Sequence, residues 1–215
     1  MTNLRPVTHE LGDFFAAGTK LEFSRGEYII RPEETPSGVF YIESGYIKAC
    51  NTTKYGEENL LVVRKHAEVF PLIWVMTGDN RSVGYVAHTD AVVYKRSVQD
   101  LERLLESSTD ALKEVLHVTT AMYQSQAERV NSLAYRTVRE RVAYFLLTLS
   151  RRFGKEDKQG VLIELPLTRA DIASSISATR ETVSREFSKL TKKDVIAQQS
   201  GRIIITDKEY LESII

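Results

Sequence analysis

The sequence predicts an α+β chain: a β-rich N-terminal domain, one long helix, and a small C-terminal domain in which two short helices precede a β-hairpin. Three observations carry this prediction. From Thr19 to Ser97, short runs rich in Val, Ile and Tyr alternate with turn residues. From Val98 to Val130 neither Pro nor Gly appears, and the apolar spacing becomes helical. The stretch LTRADIASSISATRETVSREFSKL, residues 167–190, holds two helical patterns separated by only about three turn residues. A chain of 215 residues accommodates two small domains with cores of their own.

In chain order, YIIRP, VFYIESGYIKAC, NLLVVRK, SVGYVAH and AVVYKRS read as strands of a β-sandwich, jelly roll or barrel. Turns or bulges fall at glycines 26, 38, 45, 56, 78 and 84. One helix is expected from Val98 to Val130. Within it Leu112, Leu116, Thr119, Tyr123, Gln126, Val130 and Leu133 follow 4,3 spacing over about three heptads. That seam suits self-association, although the same helix could pack on its own β-domain, and its polar members Thr119 and Gln126 could set register or meet a ligand. The pattern pauses at 132–136, the expected domain boundary. Thr137 and Glu140 then form a capping box for a helix burying Val138, Val142, Phe145, Leu146 and Leu149. GKEDKQG, 154–160, reads as a polar turn, VLIELPL as a short strand, and DVIAQQSGRIIITD as a hairpin turning at Ser200-Gly201, with Ile203 and Ile205 on one face and Ile204 on the other.

Net charge is zero, but residues 1–135 carry 14 Lys and Arg against 18 Asp and Glu, whereas 136–215 carry 15 against 11. The positive excess of four permits phosphate binding by the C-terminal domain without requiring it. Cys50 is the single cysteine, which excludes an intrachain disulfide and a four-thiolate metal or iron–sulfur site within one chain. It reads as a small half-buried residue. The N-terminal MTNLRPVTHELGDFF lacks a signal-peptide core, and the apolar run Val69–Met76 is too short to span a bilayer. A cytoplasmic protein without a membrane partner is expected.

The second helix of the 167–190 stretch separates into two faces. With Arg180 at zero and 100° per residue, Val183, Phe187 and Leu190 fall between about 280° and 340°, whereas Arg180, Ser184, Ser188, Glu181 and Arg185 fall between about 0° and 140°. The polar cluster sits toward the helix N-terminus, where helices that read DNA enter the major groove. Arginine can pair bidentately with guanine, and glutamate can accept from cytosine N4. A surface ion pair between Glu181 and Arg185 explains the same two residues. Thr168 and Thr179 as N-caps, the hairpin with Arg202 at its tip, and Lys189, Lys192 and Lys193 supply the phosphate contacts a DNA-docking module needs.

The order of these parts resembles the catabolite activator and fumarate–nitrate regulator (CRP/FNR) superfamily over nearly the whole chain. The resemblance is carried by LTRADIASSISATRETVSREFSKL, above all RETVSR at 180–185, and by NSLAYRTVRERVAYFLLTL at 131–149. It implies a β-roll effector domain (a double-stranded jelly roll) over residues 1–98, a dimerisation helix and hinge over 99–135, and a winged helix-turn-helix over 136–215. By that resemblance Arg180, Glu181, Ser184 and Arg185 would read bases in a GTGA-like half-site, repeated as an inverted palindrome for a homodimer. Thr168, Arg169, Thr179, Thr182, Ser188, Lys189 and Arg202 would contact phosphates. Leu112, Leu116, Thr119, Tyr123 and Val130 would form the dimer seam, and an activator would also meet RNA polymerase.

The effector site departs from the family pattern. Cyclic-nucleotide-binding members place a Gly-Glu pair before an Arg-Ser pair. Here Arg81-Ser82 preserves the second pair, but Phe70-Pro71 occupies the first, and proline has no N–H to donate. The Thr-Ser contacts on the long helix are replaced by Gln126-Ala127, next to Tyr123. These seven residues mark a possible effector pocket, with no cofactor expected and no cAMP control. His9, His66, His88 and His117 show no metal-ligand spacing, nor does any loop or carboxylate pair suggest catalysis, so a non-enzyme is expected. The alternatives are a cyclic-nucleotide-responsive regulator of the same fold and a metal-dependent β-roll enzyme.

Overall fold

A computed structural model of the protein describes residues 9–52, 58–79, 82–134 and 137–215. The chain divides into two compact units, and the division falls inside a helix between Gln124 and Ser125. The first unit contains α1 (His9–Ala16), β1 (Thr19–Phe23), β2 (Tyr28–Ile30), β3 (Val39–Ser44), β4 (Ile47–Thr52), β5 (Glu58–Arg64), β6 (Val69–Phe70), α2 (Leu72–Thr77), β7 (Gly84–Ala87), β8 (Ala91–Arg96) and α3 (Val98–Ser107), and most of α4 (Thr109–Leu133). Its strands form two four-stranded antiparallel sheets, ordered β1-β8-β3-β6 and β2-β7-β4-β5.

Successive strand residues point to opposite faces, and this alternation builds two cores. Phe40, Ile42, Phe70 and Val93 from the first sheet meet Ile30, Ile47 and Ala87 from the second. Val39, Tyr41 and Val69 point the other way, onto Leu11 and Phe15 of α1, Leu101 of α3, and Val115 and Val118 of α4. Strand β3 is therefore buried on both faces. Its turn into β4 passes through Gly45 at φ 84°, where a Cβ would collide with the backbone of Asp90 and Ala91, so glycine is required. Cys50, expected half-buried, is a buried residue of the second sheet, only 4% exposed.

The single helix expected from Val98 is two. The chain leaves α3 at Ser108 with φ −125° and ψ 111°, and the Ser108 hydroxyl accepts from the Ala111 N–H, capping α4. The Ser-Ser-Thr-Asp run at 107–110 explains the break, because these side chains compete for backbone groups and favour helix starts over helix interiors. Helix α4 carries two apolar stripes. Ala111, Val115 and Val118 are buried against the first unit. The 4,3 seam is on another face: Leu112 is 51% exposed, Leu116 61%, Tyr123 75% and Val130 66%.

The second unit continues with α5 (Val138–Phe153), β9 (Gly154–Asp157), β10 (Gly160–Ile163), α6 (Arg169–Ser175), α7 (Arg180–Lys192), β11 (Ile196–Gln199), β12 (Arg202–Ile205) and α8 (Lys208–Glu212). Its sheet has the order β11-β12-β10-β9. The capping box at Thr137 and Glu140 is formed, and α5 buries Val142, Leu146 and Leu149 as its periodicity predicts, whereas Val138 and Phe145, expected with them, are only half-buried. Two expectations change. GKEDKQG is not a plain turn: residues 154–157 form β9, and Gly160 begins β10. Ile203, Ile204 and Ile205 are all buried, so both faces of β12, an inner strand between β11 and β10, are covered.

Candidate nucleic-acid interface

Thr168 caps α6: its hydroxyl accepts from the Asp171 N–H at 3.1 Å, and the Asp171 carboxylate accepts from both the N–H and the hydroxyl of Thr168. The chain turns through Ser177 at φ 51°, and Thr179 caps α7 by accepting from the Thr182 N–H at 3.2 Å. Each helix of the pair thus starts on a threonine. Val183, Phe187 and Leu190 anchor α7 in the core, as its wheel requires.

On the other side of α7, Arg180, Glu181, Arg185 and Ser188 are exposed and Ser184 is half-buried. Among the described residues no ion pair joins Glu181 to Arg185. Arg185 instead donates to the Thr182 hydroxyl at 3.2 Å, and that hydroxyl shares a hydrogen bond with Thr179 at 2.9 Å. The side chains of Arg180 and Glu181 stand open to solvent, so no bond within the described chain must break before they meet a base edge. Because Ser184 and Ser188 are short, a shallow depression bordered by Arg185, Lys189 and Lys192 runs along this face. The Ser188 hydroxyl donates back to the Ser184 carbonyl at 2.9 Å.

The residues expected on phosphates differ in freedom. Arg202 is exposed beside the Ser200-Gly201 turn, whose two residues have φ 49° and 77°, values suited to a tight hairpin. Lys189 is exposed but pairs with Glu186 at 2.7 Å. Arg169 is half-buried, with its guanidinium 3.6 Å from the centroid of the Phe187 ring, and burial lowers its pKa. It packs α6 onto α7 rather than standing free. The hydroxyls of Thr168 and Thr179 are already engaged as caps, so a phosphate would meet them alongside those bonds.

The sequence did not single out Arg141. Its Nε donates to the Ile176 carbonyl at 3.0 Å and its Nη2 to the Ser177 carbonyl at 3.5 Å, so α5 satisfies carbonyls at the end of α6 and in the turn. The available signal was a charge on the margin of the apolar stripe of α5. Lys193 was expected on phosphates, but the sequence did not show that it meets Arg139 at the Tyr210 hydroxyl.

In the first unit, Phe70 is fully buried and stacks on Phe40 at 5.3 Å and Tyr85 at 4.8 Å. It fills the space between the sheets rather than lining an open pocket. Pro71 follows through a cis peptide bond and is also buried, whereas Ser82 and Tyr123 are exposed. Gln126 is exposed and Ala127 half-buried on α4; Arg81 lies outside the described residues. A buried pair, Arg64 with Glu68 at 3.4 Å, also lies in this unit. The Nδ1 atom of His66 is bonded with the Glu43 carbonyl at 2.6 Å, and His88 is buried. Among the described residues no group of three or more His, Cys, Asp and Glu side chains is placed to hold a metal. No described helix is long and apolar enough to cross a membrane.

Comparison with known proteins agrees with this division. A cyclic nucleotide-binding domain model matches residues 20–108, and a Crp-like helix-turn-helix domain model matches residues 140–214. The chain is 26% identical over 186 residues to the global nitrogen regulator of Synechococcus elongatus, covering 86% of this chain and 84% of that one. It is 23% identical over 191 residues to a CRP-like cAMP-activated global transcriptional regulator of Mycobacterium tuberculosis, covering 89% and 85%. Among solved structures, FixK2 from Bradyrhizobium japonicum superposes with a TM-score of 0.80 at 21% identity, over 92% of this chain and 97% of that one. Two domain models in tandem, a two-sheet β-unit and a threonine-capped helix-turn-helix followed by a hairpin place the chain in the CRP/FNR superfamily of DNA-binding transcription regulators.

Proposed function

We propose that the protein binds as a homodimer to an inverted repeat and reads GTGA-like half-sites with Arg180, Glu181, Ser184 and Arg185. The observation that carries this reading is the separation on α7: the apolar stripe is wholly buried, and on the charged face opposite it Arg180, Glu181 and Arg185 form no ion pair among the described residues. The exposed 4,3 seam of α4 supports self-association, since Leu112, Leu116 and Tyr123 present an apolar stripe on the first unit, and Val130 on the second is exposed as well. Two-fold symmetry would place two recognition helices about 34–36 Å apart, on successive turns of the duplex. In this reading the protein works in the cytoplasm without catalysis, and RNA polymerase is a further partner where it activates.

The reading also holds that no cyclic nucleotide is required. Phe70 occupies the interior of the two-sheet unit, and Pro71 offers no N–H where family members that bind the nucleotide present a polar pair. Fluorescence anisotropy on an inverted-repeat duplex tests both points. Specific binding in the nanomolar range without effector, unchanged by cAMP, is expected. Affinity that appears only on adding cAMP contradicts the effector half, and affinity equal on a scrambled duplex contradicts the base-reading half.

A further inference from the structure

In the second unit, three side chains from three helices meet at one oxygen. Arg139, in the first turn of α5, donates through Nη2 to the Tyr210 hydroxyl at 2.8 Å. Lys193, which closes α7, donates through Nζ to the same oxygen at 2.7 Å. Both cations also approach the Tyr210 ring, at 5.9 and 5.1 Å from its centroid. Two accepted bonds occupy the lone pairs of the phenol oxygen, so its own O–H is a donor. Guanidinium and ammonium groups are donors only, and each has N–H groups to spare.

The cluster therefore combines two positive charges and a hydroxyl donor with no acceptor left in it. Of the neighbouring carboxylates, Glu140 accepts from the Thr137 N–H and Asp207 from the Tyr210 N–H, and among the described residues neither the Asp194 nor the Glu209 carboxylate bonds to the side chain of Arg139, Lys193 or Tyr210. Among the described residues neither Arg139 nor Lys193 forms an ion pair. The two cations also draw the phenol pKa below its ordinary value, with the Lys193 bond as the largest cause. A constellation of donors alone is complementary to an oxyanion with several acceptor atoms.

We propose that Arg139, Lys193 and Tyr210 form a phosphate-binding site. Two sources offer this chemistry: the DNA backbone beyond the base-reading contacts, and free phosphate. Lys193 follows directly on Lys192, which borders the depression on the exposed face of α7, and it lies about 20 Å along the helix from Arg180. A backbone phosphate several base pairs from the bases read by Arg180 matches that span. The site does not depend on the half-site sequence or the dimer, although its DNA arm rests on DNA binding by this unit.

The test uses the full chain and the variants Arg139→Gln, Lys193→Gln and Tyr210→Phe. In the first arm, log K for a long inverted-repeat duplex is measured against log salt. If the DNA backbone is the source, each lost cation lowers the slope by about one unit, and relative affinities among base variants stay as in the wild type. In the second arm, thermal stabilisation by inorganic phosphate is compared with chloride at equal ionic strength, without DNA. If free phosphate is the source, a phosphate-specific rise in melting temperature is lost in all three variants while the DNA slope holds. Wild-type behaviour of the variants in both arms overturns the proposal and leaves the cluster a staple for α8. Tyr210→Phe retains the ring that both cations approach, so it keeps the comparison open if a charge variant fails to fold. Failure here with altered base preference in Arg180→Ala leaves the base-reading proposal intact.

Discussion

Arg141 and Arg169 hold the α6-turn-α7 motif in place in two different ways. Arg141 reaches from α5 to carbonyls at the end of α6 and in the turn, whereas Arg169 spreads over the face of Phe187 and couples the two helices of the motif. Removing Arg141 leaves the Ile176 carbonyl without that donor. Arg141→Ala should therefore cost about 1–3 kcal/mol, seen as a lower denaturation midpoint with weaker binding to every duplex and no change in rank among them. Unchanged stability would show that water replaces the guanidinium without loss. Arg169→Lys keeps the charge but loses the planar stack; it should lower the melting temperature while leaving the salt slope of DNA binding in place, whereas a free phosphate contact would behave in the same way only if lysine could replace it fully. The exposure of Arg180, Glu181 and Arg185 was legible from a 100° wheel, because neighbours on one helix are set by its period alone. Arg141 was not, because its carbonyl partners lie 35 and 36 residues away.

Elements followed the same division between local and distant causes. The caps at Thr137, Thr168 and Thr179 act within three residues and could be read directly. The division of α3 from α4 was missed although its cause is local: a helical run free of Pro and Gly outweighed the capping chemistry of Ser108, which also donates to the Glu10 carboxylate. Ser108→Ala should destabilise the first unit by about 1 kcal/mol in chemical denaturation, and a neutral result would mean that the break is set by packing alone. Strand β12 shows the other kind of miss. Whether Ile204 faces solvent depends on what covers the sheet, and alternation along one strand carries no information about that.

For the whole molecule, the two-sheet unit, the helix and the helix-turn-helix were legible because each has its own period, 2 or 3.6, with turn residues between. The interior of the two-sheet unit was less so, since Phe70 could have been a pocket wall or a core residue until Phe40 and Tyr85 were placed on either side of it. Burial raises the Tyr85 phenol above its ordinary value of 10.0, with Arg64 pulling weakly the other way. A phenol harder to ionise when folded contributes stability below the unfolded pKa that is lost as pH rises through the folded one. Melting temperature should accordingly fall above about pH 10, and fall less in Tyr85→Phe; an equal fall in both assigns the alkaline loss to other groups. The exposed seam of α4 makes a further claim at this scale. Leu116→Glu should shift the protein toward monomer in sedimentation and weaken binding to an inverted repeat more than to a single half-site, and a dimer of undiminished stability would move the interface elsewhere.

Selection of bound duplexes from a random library, run in parallel on the wild-type protein and on Arg180→Ala, bears most directly on the base-reading claim. Recovery of inverted repeats with GTGA-like half-sites by the wild type, and relaxed preference at one position of each half-site by the variant, is the expected result. Recovery of asymmetric sites, or of the same preference by both proteins, would contradict it.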